Sequence, residues 1–218
     1  MKNFFTVISS LIIAFAALTG ASCGNTDPFI NSVTELRQNV YEGVSDNYKL
    51  KAAYGYEDNE KNERVYHLTF LLCDKTSSAG TYTLTFNSGE LSFTEDFKYS
   101  PVTGTLKTSV AIENFADNEF NVTVSTGGAA ETVTLKSLVT GGAMDYKTAL
   151  TYLKKSQPEL IALYNDENGD FAGKVTARIL VKNEKPYWYV GLKNESGVLK
   201  ALLVDGLSGE VLAVREVF

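Results

Sequence analysis

Chemistry at neutral pH needs a base, a nucleophile or a metal ligand, and this chain is sparing with all three. Its only histidine, His67, and one of its two cysteines, Cys73, stand in a single apolar run. A reactive thiol wants a basic partner to lower its pKa. Six residues of extended chain separate the two by about 20 Å at ~3.3 Å per residue, so they cannot form a thiol–imidazole pair. Cys73 therefore reads as a buried, inert thiol at the end of the run from Val65 to Leu72. His67 lies on the side of Val65 and Thr69 with no second ligand nearby, and reads as a structural imidazole.

The acidic clusters offer little more. Asp166, Asn168 and Asp170 supply oxygens at alternate positions, as a calcium loop would. The sixth and twelfth places of such a loop call for glycine and glutamate, and Phe171 and Ala177 stand there instead. The segment reads as a solvated acidic turn. Glu95 and Asp96 are adjacent, so a strand would send them to opposite faces rather than across a cleft. No Gly-x-Ser-x-Gly elbow, phosphate loop or dinucleotide fingerprint is present. No cofactor and no metal is expected, and the chain reads as non-enzymatic. A hydrolase with an unrecognised site is the remote alternative. Tyr54-Gly55-Tyr56 and Tyr187-Trp188-Tyr189 are the candidate binding surfaces, because Tyr and Trp offer large contact area with a polar handle. Strand alternation puts one face of each trio in the core, so packing is the default reading, and Tyr187, Trp188 and Tyr189 are the binding candidates.

The formal charge of −6 is spread without a basic stripe, which excludes a nucleic-acid footprint. The first 23 residues carry an address. Lys2, an apolar stretch from Phe4 to Leu18 and the small residues Gly20-Ala21-Ser22 before Cys23 form a secretory signal. The apolar stretch is shorter than the ~20 residues of a spanning helix. With its cysteine after small residues, the segment resembles the bacterial lipoprotein signal, in which that cysteine is lipidated after cleavage. Gly20 departs from that pattern, which usually has a large aliphatic residue there. The resemblance implies export and a membrane anchor through lipid on Cys23. Under plain secretion, a Cys23–Cys73 disulfide becomes the rival pairing.

These residues must be positioned by elements the pattern reveals. Tyr82, Leu84 and Phe86 alternate with threonines, and the two-residue period returns over 105–112, 120–125 and 132–139. Gly127-Gly128 reads as a hairpin turn. The run from Val65 to Leu72 is apolar on both faces, as in a central strand. Asp27-Pro28 with Val33, Leu36 and Val40 suits a short helix, although Val40-Tyr41 before Gly43 suits an opening strand equally well. After Gly141-Gly142 the period changes. Asp145 caps a helix, Ser156-Gln157-Pro158-Glu159 makes a capping box for a second, and four short strands with polar turns follow.

The expected class is α+β, mainly β: an antiparallel, sandwich-like domain and then a small helix-plus-meander unit. The expected organisation is a signal peptide over 1–22, a lipidated tether and entry segment over 23–47, the β-rich domain over 48–140 and the α+β unit over 141–218. That last unit carries an Ala/Leu-bearing helix, a strand with Trp188-Tyr189-Val190, and the ending Leu203-Val204-Asp205-Gly206-Leu207-Ser208-Gly209-Glu210-Val211-Leu212. It resembles the PepSY domain of exported bacterial proteins. In the ending, Asp205 is expected to bond turn amides, Gly209 to take positive φ, and Val204 to pair with Val211. The resemblance implies a binding or regulatory module whose partner is a protein or peptide, such as a peptidase to be inhibited. A structural envelope lipoprotein without a specific ligand is the alternative.

Overall fold

The computed structural model describes residues 27–74, 80–89, 91–101, 104–139, 141–197 and 199–217. The signal segment and Cys23 lie outside them. Of the described residues, 59% are strand and 11% helix, so the chain is mainly β, built around a large and mostly antiparallel sheet.

The first half is a nearly closed barrel. Its strands are β1 (Val33–Val44), β2 (Tyr48–Asp58), β3 (Arg64–Asp74), β4 (Tyr82–Ser88), β5 (Leu91–Asp96), β6 (Lys98–Ser100), β7 (Thr105–Ala111), β8 (Glu119–Thr126) and β9 (Ala129–Ser137). Pairing runs from β1 through β2 and β3 to β7 in one direction, and through β9 and β8 to β4 in the other. One kinked segment joins the two arms. β5 pairs with β4, β6 pairs with β7, and only Phe97 separates them. Phe97 donates its N–H to the Tyr82 carbonyl at 2.8 Å and turns its ring into the core. Gly127 and Gly128, both at positive φ, make the tight β8–β9 turn.

Small barrels leave room inside for little more than side chains. Here aromatic rings fill that room. Phe120 meets Phe115 at 5.0 Å and Phe86 at 5.3 Å between centroids, each edge to face. Such pairs contribute about 0.5–1.5 kcal/mol each beyond the area they bury. The lumen is thus a packed core.

β3 is central, between β2 and β7, but only one of its faces is buried. Leu68, Phe70 and Leu72 point inward, while Val65 is 40% exposed. The same alternation overturns the expectation for Cys73. It follows Leu72 on the outer face and is an exposed free thiol.

The second core lies between a meander and the helices. β10 (Lys174–Lys182), β11 (Lys185–Lys193), β12 (Leu199–Asp205) and β13 (Val211–Val217) pair in chain order. α1 (Pro28–Asn31), α2 (Tyr146–Ser156) and α3 (Pro158–Ala162) supply the apolar side chains that complete it. Phe29, Leu150, Leu153 and Ile161 pack with Trp188, Val190, Leu202 and Val204. Asp145 caps α2 by accepting from Lys147 and Thr148 N–H at 2.8 and 3.0 Å. The capping box expected at Ser156 does not form. Ser156 ends α2 and donates to the Leu153 carbonyl, and α3 has no side-chain cap. The closing hairpin has the expected chemistry. Asp205 accepts from Leu207 and Ser208 N–H, Gly209 has φ +76°, and Val204 faces Val211.

Both cores meet at β1. The short helix at Asp27-Pro28 stops at Asn31, and everything from Val33 onward is strand. One edge of β1 pairs with β2 along most of its length. Its other edge is divided. Residues Val33 to Arg37 run parallel to β10, whereas Tyr41 and Glu42 pair antiparallel with β9. The sheet therefore forks between Arg37 and Tyr41.

Candidate functional site

Three features build the fork. First, β1 carries a bulge between Arg37 and Asn39, so Gln38 faces no residue in the β2 register. An extra residue bends a strand and re-aims it. Second, Asn39 ties the departing half of β1 to the barrel. Its Oδ1 accepts from Val40 N–H and Ser137 Oγ, and its Nδ2 donates to the Tyr41 hydroxyl at 2.9 Å. Third, Gly55 on β2 lies opposite Arg37, where a Cβ would sit 1.8 Å from the Leu36 carbonyl oxygen. Only glycine permits that approach. On the meander side Arg178 grips both oxygens of Glu35 at 2.6 Å, fixing β10 beside β1 up to the point of divergence.

Past that point the two sheets separate and leave a cleft of about 640 Å³. The barrel wall presents Gln38, Asn39, Tyr54 and Phe115. The connector between β9 and α2 adds Val139 and Met144, and the far wall is made by Tyr146, Lys147, Ile179 and Trp188. Tyr54 accepts the Phe115 N–H at 3.1 Å, which holds that ring at the cleft wall. Trp188 is 2% exposed and donates its indole N–H to the Met144 carbonyl at 3.0 Å. The size and the largely apolar lining, with four aromatic residues among it, suit a ligand-binding cleft.

Its electrostatics are quiet. Asp145 and Lys147 are the charged residues lining it. Burial raises the Asp145 carboxyl pKa, but amide and hydroxyl bonds from Thr148 and Lys147 outweigh that and hold it below the usual range. Burial pushes the Tyr41 phenol beside the fork well above its ordinary value, so it stays neutral. Asp145 is committed to backbone amides and Tyr41 to the Asn39 side chain, and neither is poised for proton transfer.

The residues singled out by sequence fall in different places. Alternation along β11 divides the aromatic trio. Trp188 faces the helices and the cleft, while Tyr187 and Tyr189 are half-buried on the opposite face, with Arg178 5.9 Å above the Tyr189 ring. His67 is half-buried on the outside of the barrel, level with Gly55 on one side and Ala111 on the other. Asp166 closes its own loop by accepting from Asn168 and Asp170 N–H. Glu95 and Asp96 are both exposed but on opposite faces of β5: Asp96 accepts from Thr83, and Glu95 lies level with the buried Leu84.

Gln38, Asn39, Phe115, Met144 and Tyr146 were not foreseen as site residues. The available signal was Gly55 between two tyrosines in a strand, since an interior strand glycine marks a bulge or a close backbone approach. Among the described residues no helix is long and apolar enough to cross a membrane, and no group of three potential metal ligands comes together. Compared with known proteins, the chain matches no family model, no curated protein and no solved structure.

Proposed function

We propose that this chain is an exported protein held at an envelope membrane by lipid on Cys23, with no catalysis of its own. It binds a protein or peptide partner through the cleft that its PepSY-like C-terminal unit forms with the barrel. The observation that carries the reading is the largely apolar cleft at the fork, with Trp188 in its wall and Asp145 committed to capping α2. A peptidase is one partner class that the PepSY resemblance brings forward.

The test of binding uses the single tryptophan of the sequence as its probe. Peptides selected from a random displayed library on the purified protein should shift Trp188 emission saturably and compete with one another. Selected peptides that leave Trp188 unperturbed would sink the cleft as the site. For anchoring, Cys23→Ala should release the protein from membranes, and identical fractionation of variant and wild type would refute lipidation.

A further inference from the structure

We infer that the partner enters the cleft as an added β-strand, hydrogen-bonded to the free half of β10; this rests on the peptide-binding reading above. β1 accompanies β10 only as far as the Arg37–Arg178 pair. Beyond it, Ile179 to Lys182 pair with β11 alone among the described residues. Their second edge is a row of backbone donors and acceptors without a ladder, about 13 Å long at ~3.3 Å per residue. Ile179, the first residue past the last bridge, also lines the cleft. The free edge and the aromatic pocket are therefore parts of one site.

Proteins usually blunt such an edge with lysine, proline or a bulge. Here Lys182 stands only at the far end, and Leu180 in the middle is 44% exposed. An unpaired edge selects an extended backbone, because only a strand matches its spacing. Alternate side chains of that strand would face the Trp188 wall and the solvent side in turn.

Charge narrows the occupant further. Asp145 is taken up by the α2 amides, and with Lys147 it leaves the lining no net charge to select an acidic or a basic segment, so its mostly apolar residues favour an uncharged one. A second copy of the chain is disfavoured by size. Four edge residues and one pocket fall well short of the ~1,200 Å² that a stable protein interface buries.

The probe is a capped hexapeptide in which phenylalanine and threonine alternate, mixed with the full-length exported protein. Saturating peptide should shift Trp188 emission and slow amide exchange at one alternate pair among residues 179–182. A docked strand uses only every second amide, so N-methylation of one alternate set should weaken binding about tenfold or more, and of the other set very little. Equal binding of both methylated peptides, with Trp188 still responding, would overturn strand addition and leave peptide binding standing. No response from Trp188 or the amides would overturn both readings. Protection confined to β13 would also overturn the inference. So would protection at 179–182 that grows with protein concentration alone, which assigns the edge to a second copy.

Discussion

Replacing Gly55 by alanine tests the fork more directly than any other single change. In an unconstrained strand the substitution would stabilise, by about 0.4–1 kcal/mol, because alanine restricts the unfolded chain. The structure predicts the opposite sign. The new methyl would lie 1.8 Å from the Leu36 oxygen, 2.7 Å from its carbonyl carbon and 2.9 Å from Arg37 Cα. All three are backbone atoms of β1, which cannot retreat without loosening its bonds to β2, β9 and β10. Overpacking by one methyl costs about 1–3 kcal/mol where side chains can adjust, and a backbone obstacle puts this site at about 3 kcal/mol or more. For a chain of this size that corresponds to a fall in Tm of roughly 6–12 °C. Thermal and urea unfolding followed by circular dichroism would measure it. Gly141→Ala is the control, since a Cβ there meets nothing within 4 Å, and it should change stability by less than about 0.5 kcal/mol. A Gly55→Ala protein as stable as wild type would refute the close-packed fork.

Asp145→Ala should cost about 1 kcal/mol through loss of the α2 cap, read by urea unfolding. Because the native Asp145 carboxyl is held below its unfolded value, its contribution is complete above about pH 5 and disappears as pH falls below about 4. Asp145→Asn should therefore flatten part of the acid limb of stability against pH; an unchanged limb would exclude that role. Cys73 should react with a thiol reagent in the native protein as fast as in urea, and protection in the folded state would contradict its exposure. Trp188→Ala should cost about 3–5 kcal/mol, as for other buried large aromatics, and a smaller loss would mean that the second core tolerates a void.

Much of the barrel was legible because its strands keep a strict two-residue period, as Tyr82 to Phe86 and Phe120 to Val124 do. β1 was ambiguous for a definable reason. Two register shifts fall within it, one between Val33 and Glu35 and one between Arg37 and Asn39. They bring Val33, Leu36 and Tyr41 to the buried side at spacings of three and five, which imitates a helix more than a strand. Cys73 was misplaced because the outer face of β3 carries Val65 and Leu71, which gave the run the look of burial on both sides. The aromatic trio was legible only in part. Alternation could separate Trp188 from its neighbours, but it could not say that the Met144 carbonyl, 44 residues away, accepts its indole N–H. The cleft itself joins Gln38, Phe115, Met144 and Ile179, and no local pattern connects positions so far apart.

The parallel pairing of β1 with β10 also sets a timetable. The Glu35–Arg178 bond spans 143 residues, so β1 is made long before the strand that completes it. At translation rates of about 5–20 residues per second, the interval is roughly 7–30 seconds. The barrel strands emerge during that time, with β9 complete about 40 residues before Arg178, and close around the later half of β1 while Val33 to Arg37 wait with one side uncovered. Contacts so distant in sequence also slow folding, because the loop between them must close before it is rewarded. The meander is thus the late-folding part of the molecule, and a chain interrupted before Lys174 would expose the first half of β1 to any neighbouring strand.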